Sequence, residues 1–330
     1  MTARGVLRRT QGVSQRLVRK IKHGEGENAG ALYINEKPAY FKDRVKAGDE
    51  IKLIFPKEKS WIEPEEIAIS VLYEDDDILV LDKQPGIVVH PTNGHRNGTI
   101  ANGLIFHMME RGEEYKPRFI NRLDMGTSGV LLIGKNSYAQ DNLSKQNAAG
   151  SMEKIYIAVL EGNLEDDLPP SGLIDLPIGL VREDEPNRGV IPEEEGGYPS
   201  QTEYEIIDVH SKRPIEDLRT MTRQSHCRKL HLEMSQEESR QIGDGSLLEH
   251  PSEFLSVVRI KLITGRTHQI RVHFSHFGHP LLGDQLYGNP SPFIERQALH
   301  AAEISFAHPV SGQEMKITAP MPEDIASLFE

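Results

Sequence analysis

The chain has 330 residues, a formal net charge of −12 and a single cysteine, Cys227. This length accommodates two domains, one of them with a sizeable core, while one cysteine excludes an intrachain disulfide and a thiolate metal cage. No apolar run is long enough to span a bilayer, and the basic start lacks the apolar stretch of a secretory signal. A basic helix or an Arg-rich transit segment fits that start equally well, and the cytoplasm is the expected location.

Charge is unevenly spread. Residues 1–60 hold 14 Lys and Arg against 7 Asp and Glu, whereas the remainder holds 24 against 43. A small basic head on an acidic body points to the head as the source of phosphate attraction. Within it, Leu17, Val18 and Ile21 stand at helical spacing, with Arg16, Arg19, Lys20 and Lys22 around them. A Gly-rich turn at 24–30 precedes a short strand at Ala31 to Ile34, and Gly48-Asp49 leads into an alternating strand ending near Leu53. The pattern is similar to a small RNA-binding module found in a ribosomal small-subunit protein, which makes Arg16, Arg19 and Lys20 candidate RNA contacts. Residues 56–66 read as a linker, so the expected domains are 1–60 and 61–330.

The body alternates short apolar strands with turns and a few helices. Ile78 to Leu81, Val130 to Ile133, Ile155 to Leu160 and Phe254 to Ile263 are strand candidates. In the last, Val258, Ile260 and Leu262 share one face and Arg259 and Lys261 the other, as in a half-buried antiparallel strand. A helix is expected after Thr267 as N-cap, carrying Ile270, Phe274 and Phe277 and ending at Gly278. Strand and helix alternate too irregularly for a doubly wound sheet, and an α+β fold on a mainly antiparallel sheet fits better. Residues 208–253 read as a polar surface insertion, partly disordered, between two strands. The acidic runs at 183–185 and 193–195 read as solvated loops.

Two stretches carry chemistry. Residues 118–136 place Arg122-Leu123-Asp124 before a Gly126-Thr127-Ser128-Gly129 turn and the apolar run from Val130, which puts Asp124 at the lip of a sheet. Alone, that carboxylate could equally cap the turn. The second stretch, 264–288, reads Thr-Gly-Arg-Thr-His-Gln-Ile-Arg-Val-His-Phe and then Gly-His-Pro-Leu-Leu-Gly-Asp-Gln-Leu-Tyr-Gly. Together the two closely resemble the RluA/RluD branch of the pseudouridine synthases, RNA enzymes that isomerise uridine in place. Further matches follow in order: Leu81 to Gly86, His90-Pro91, Lys154-Ile155-Tyr156, Arg296 to Ala301 and His308-Pro309. The resemblance covers about 70–330 apart from the insertion, and it implies the same α+β fold.

By resemblance, Asp124 is the catalytic carboxylate and Arg271 the cation paired with it. Tyr156 would lie against the base and assist proton removal from its ring carbon. Arg122 would fill the vacated space or bind phosphate, and Arg266 belongs to the rim. The isomerisation breaks the bond between ribose and ring nitrogen, turns the base and rejoins it through carbon. It needs no redox change, cofactor or metal. It needs a carboxylate at the sugar, as nucleophile or as base, with a guanidinium to keep it ionised. Family members usually carry His where this chain has Asn121, which still donates and accepts hydrogen bonds. His268, His273, His276 and His279 match no familiar zinc spacing, and Ser128 lacks the surroundings of a hydrolase elbow. The expected partner is structured RNA, ribosomal first and transfer RNA second, bound by a monomer. The rival readings are a non-catalytic RNA-binding assembly factor and a metal-dependent nuclease built on the histidines.

Overall fold

The computed structural model describes residues 1–22, 30–56, 58, 60–92, 94–182, 187–211 and 254–329. The N-terminal segment has its own small core. Helix α1 (Ala3–Thr10) is capped by the Thr2 hydroxyl, which accepts the Gly5 N–H at 3.2 Å. Helix α2 (Gln15–Lys22) buries Leu17, Val18 and Ile21, the stripe its spacing predicts. Strands β1 (Ala31–Ile34), β2 (Lys37–Pro38) and β3 (Ile51–Ile54) form a three-stranded sheet in the order β2-β1-β3. Asn35 and Glu36 both take positive φ between β1 and β2, the backbone of a two-residue hairpin turn. Tyr138 of the larger body joins this core, and its hydroxyl donates to the Gln11 carbonyl at 2.8 Å.

The larger body begins with β4 (Ser70–Glu74) and β5 (Ile78–Lys83), then α3 (Ile100–Glu110) and β6 (Arg118–Phe119). Next come β7 (Ser128–Gly134), α4 (Ser137–Ala148), β8 (Glu153–Glu161), β9 (Ser171–Asp175), β10 (Ile178–Leu180) and β11 (Arg188–Val190). Strands β12 (Gln201–Ser211) and β13 (Phe254–Leu262) follow, then α5 (Gln269–His276), β14 (Leu299–Ala307), β15 (Glu314–Thr318) and α6 (Glu323–Ala326). The main path of the ten-stranded sheet runs β4-β5-β7-β14-β8-β13-β12-β9, with β15 on β14 and β6 on β7, while β10 and β11 make a separate ribbon. Every pairing is antiparallel except β14 with β7. The fold is therefore α+β on a mainly antiparallel sheet.

Period-two alternation fills both faces. Leu79, Leu81, Leu131, Ile133, Tyr156, Ala158 and Leu160 pack with α3 and α5 on one side. Ile78, Val80, Val130 and Leu132 pack with Ala139 and Leu143 of α4 on the other, and Ile157, Val159, Leu255 and Val257 with Ile325 and Phe329. The strands expected at 78–81, 130–133, 155–160 and 254–263 all form, each shifted by no more than a few residues at its ends.

Two expectations need correction. Helix α5 starts after His268, which sits in the left-handed region at φ 58°, so Thr267 is not the N-cap. The reason is local: Gln269 Oε1 accepts the Arg266 N–H at 2.9 Å and the Thr264 hydroxyl at 2.8 Å, tying up the entry to the helix. The polar insertion also begins later than expected. Residues 208–211 continue β12 and pair with 254–257 of β13, and 212–253 lie outside the described residues. Of the acidic runs, Glu183 to Glu185 lie outside them too, and Glu193–Glu195 form an exposed 3-10 turn.

The parallel contact sets the site. His300 and Ala301 of β14 face Ser128 and Gly129 of β7, and Gly129 has φ +107° with the Ala301 carbonyl 2.2 Å from where a Cβ would stand. Gly129→Ala should therefore cost about 2–4 kcal/mol of stability, from strain plus displaced backbone, visible as a lower urea midpoint with unchanged slope. His300 lies under the same turn, its Nδ1 3.0 Å from the Ser128 hydroxyl. Burial pushes its imidazole down to about 4, with the nearby Arg296 charge acting in the same direction. Between pH 6.5 and 4 the unfolded state then binds a proton that the folded state refuses, so this stability is complete above 6.5 and drains away on acidification. His300→Gln should reduce the pH slope of unfolding free energy in that window by up to about 1.4 kcal/mol per unit, measured by urea titration at each pH.

Candidate active site

The segment leading into β7 is fixed from several sides. Asn121 folds its amide onto β7, donating to the Val130 carbonyl at 2.9 Å and accepting the Leu132 N–H at 2.8 Å. In this chain Asn121 clasps a strand edge. Leu123 is buried, and the Thr127 N–H closes the turn on the Asp124 carbonyl at 3.0 Å. Lys83, wholly buried at the end of β5, donates to the carbonyls of Gln84, Met125 and Thr127 at 3.0, 3.0 and 2.7 Å. Burial and the Arg296 charge push its amine down to about 7, while Asp124 pulls the other way. Three acceptors also suit the three protons of an ammonium. Lys83 thus clips the backbone that presents Asp124.

The Asp124 carboxylate turns away from that backbone. It meets Arg271 on α5, whose Nη1 donates to Asp124 Oδ2 at 3.2 Å. The same guanidinium is gripped from behind by Asp284, with Nε to Oδ2 at 2.7 Å and Nη2 to Oδ1 at 2.8 Å. Asp284 has a side-chain exposure of 0%, Arg271 of 9% and Asp124 of 29%, so charge compensation is deepest at the back and the open end is Asp124. Asp284 also accepts the N–H groups of Leu286 and Tyr287 at 3.0 and 3.1 Å. Burial works against the Arg271 charge, but Asp284 and Asp124 outweigh it and raise the guanidinium pKa. The Tyr287 ring lies 5.0 Å from the guanidinium carbon.

His268 stands beside this pair, with Nε2 3.9 Å from Asp124 Oδ2. Its Nδ1 is 2.7 Å from the Tyr287 hydroxyl, which already accepts the Arg188 N–H at 3.0 Å. That arrangement favours a proton on Nε2, facing Asp124. Burial, reinforced by Arg271, holds the imidazole below its ordinary pKa although Asp124 opposes this. Tyr156, on β8 between β13 and β14, is buried and lines the cleft together with Asp124. Burial and then the Asp124 charge push its phenol up, so it stays neutral.

Asp124 and Tyr156 open into a cleft of about 1270 Å³ that runs to the N-terminal helices. Arg122, Arg266, Arg16 and Lys20 line it as well. Arg122 is exposed, with Nη2 3.5 Å from the Thr267 hydroxyl. Arg266 donates to the Pro199 carbonyl at 3.1 Å and stacks on Tyr198. Arg19 is exposed on α2 but is not part of the cleft wall. Arg271 lies beneath the cleft rather than on it, reaching it through Asp124. The sequence assigned no role to Lys83, Asp284 or Tyr287 and weighed His268 only as a metal ligand, although all four fall within the stretches that carry the family resemblance.

The histidines do not converge. His273 bonds Thr202 and the Leu176 carbonyl, and His279 bonds the Glu161 carbonyl and Asp167. Among the described residues Asp75, Asp77 and His308 do stand at metal-ligand distances. Asp75 is already met there by Tyr73, His308 and two backbone N–H groups, a lock on the β4–β5 turn.

A carboxylate held by a buried guanidinium thus stands at the floor of a basic-lined cleft on this sheet. Residues 77–276 match the family model for RNA pseudouridylate synthase, and the chain belongs to that family and is an RNA uridine isomerase. It is similar to the uncharacterised RNA pseudouridine synthase YjbO of Bacillus subtilis, at 32% identity over 97% of this chain and 95% of that one. It is also 32% identical to the ribosomal large subunit pseudouridine synthase D of Neisseria meningitidis serogroup A, over 91% of this chain and 71% of the relative. Human RNA pseudouridylate synthase domain containing 1 shares the fold, with a TM-score of 0.55 at 20% identity, covering 82% of this chain and 90% of that one.

Removing the rear carboxylate should undo the arrangement from behind. Asp284→Asn leaves a buried guanidinium compensated by Asp124 alone, which should cost about 3–5 kcal/mol of stability and lower turnover as Arg271 shifts. Chemical denaturation alongside an activity assay at a temperature where the variant is folded checks both. Wild-type turnover in a folded variant would show that Asp284 does not set the position of Arg271.

Proposed function

We propose that this enzyme modifies uridine in large-subunit ribosomal RNA, with Asp124 acting at the ribose and residues 1–60 docking the substrate. The observation that carries the reading is the Asp124–Arg271 contact, because it places an acceptor-only carboxylate, partly open, where a flipped nucleotide can enter. A uridine in structured RNA must first leave its stack, at a cost of a few kcal/mol. Arg122 and Arg266 on the cleft wall supply phosphate attraction toward that cost.

Asp124 then works either as nucleophile at the anomeric carbon or as base on the neighbouring ribose proton. In both routes Arg271 orients the carboxylate through its 3.2 Å hydrogen bond, and Lys83 fixes the backbone from which the carboxylate projects. The Tyr156 phenol, held neutral, is a poor resident base, and we assign it to the wall against which the uracil turns. Each step moves protons and one glycosidic bond within a single nucleotide, so no cofactor enters.

Ribosomal RNA is favoured because relatives with high coverage are named for the large subunit, and the basic head suits a folded RNA. We read the enzyme as a monomer that works in the cytoplasm with its RNA. No helix among the described residues is long and apolar enough to cross a membrane.

Tritium release from RNA labelled at the uracil ring carbon tests the reading. Wild type should release tritium from ribosomal RNA and much less from transfer RNA. Asp124→Asn should lower release by at least about 10³-fold while RNA affinity stays within about twofold, since an uncharged isostere removes chemistry but no phosphate contact. Full activity in Asp124→Asn would sink the assignment, and preference for transfer RNA would move the substrate.

A further inference from the structure

Where the N-terminal helices meet the larger body, two cations share one carboxylate and two more lie nearby. Lys20 on α2 and Arg118 on β6 both form ion pairs with Glu58, one carboxylate oxygen each. Arg118 also donates to the Lys116 carbonyl at 2.6 Å, and its guanidinium is largely covered, with a side-chain exposure of 9%. Arg16 lies one helical turn before Lys20 and lines the same cleft, as does Lys116. Burial lowers the Lys20 pKa, and the charges of Arg118, Arg16 and Lys116 push it down further. Asp76 and Glu114 line a smaller cavity next door, and Asp141, on the main cleft, is paired with Lys145 at 2.6 Å.

The cluster is not isolated. The wall that holds Arg16, Lys20 and Arg118 continues to Arg122 and Asp124 in one cavity. A nucleotide seated at Asp124 therefore has its neighbours leading toward this junction. Glu58 belongs to the segment joining the two parts of the chain, and its carboxylate bridges cations from both. An anion with more oxygens and more charge would satisfy the same donors better.

We infer that Arg16, Lys20, Lys116 and Arg118 form a clamp for an RNA backbone phosphate, and that Glu58 occupies it in the free protein as a stand-in the substrate displaces. The inference rests on RNA being the substrate of the Asp124 site. A carboxylate that competes with phosphate lowers affinity for every RNA and makes entry depend on a phosphate reaching both sides of the junction. It also ties substrate entry to the seating of the head on the body.

The test is a salt titration of binding to a large-subunit ribosomal RNA transcript labelled for tritium release, using the full chain. Glu58→Gln should bind about threefold to tenfold more tightly, because its competitor charge is gone. Lys20→Gln and Lys116→Gln should bind more weakly, each reducing the slope of log affinity against log salt by about 0.7–0.9. Asp141→Asn, a carboxylate on the same cleft with a partner of its own, should change affinity by less than about twofold. Weaker or unchanged binding by Glu58→Gln would overturn the clamp and leave Glu58 a structural tie. An equal gain from Asp141→Asn would overturn it too, as a general effect of removing negative charge. If wild type binds the RNA without releasing tritium, the proposed function fails, while the affinities and slopes still decide the clamp.

Discussion

Arg271 is shared by two carboxylates, and the rest of the site depends on that sharing. A lone buried guanidinium would be very costly. With Asp284 gripping two of its nitrogens and Asp124 the third, the cation is fixed in direction as well as charge. Asp284 is anchored in turn by two backbone N–H groups at the start of the turn that carries Tyr287. The pair is asymmetric by burial: Asp284 has no exposure and Asp124 is partly open. One carboxylate is sealed behind the guanidinium and the other faces the cleft.

That asymmetry requires two pieces of backbone far apart in sequence to be held in register. The Asp124 turn is delivered by β7, and β7 reaches its place through a parallel contact with β14 that only a glycine at 129 permits. Helix α5 is delivered from β13 through His268, whose left-handed backbone turns the chain sharply into the helix. A strained non-glycine residue of this kind persists only where its surroundings hold it. Here the Tyr287 hydroxyl holds the imidazole, and the Tyr287 ring also faces Arg271. The strain, the aromatic contact and the Asp124–Arg271 pair thus belong to one assembly.

Local pattern and motif made much of this legible. Continuous apolar runs at 78–81 and 130–133 identified strands because both faces of the sheet are buried, and the resemblance brought Asp124, Tyr156 and Arg271 to one place. What remained hidden depends on tertiary contact. Lys83 reads as an ordinary strand-end lysine until β5 pairs with β7 and encloses its amine among the carbonyls of the Asp124 turn. Asp284, in a Gly-Asp step, reads as a turn residue, and it is one, yet its carboxylate also faces Arg271. Thr267 has the chemistry of an N-cap but lost the position to the side chain of Gln269 and the backbone of His268. On α2 the period of the helix sorts the cations: Arg16 and Lys20 share the stripe facing the cleft, and Arg19 falls outside it. Composition alone could not make that distinction.

A net charge of −12 in an RNA enzyme is resolved by distance rather than by sum. At physiological ionic strength exposed charges more than about 8 Å apart are largely screened from one another, so a phosphate in the cleft responds to the cations on its walls and hardly to acids elsewhere. Many of those acids are also already engaged: Glu74 with Lys135 and His107, Glu303 with Lys316, Asp324 with Arg296. The acidic excess repels nucleic acid at large, while the cations along the cleft draw it in, so an acidic body disfavours the loose, sequence-independent association that a uniformly basic protein of this size would show.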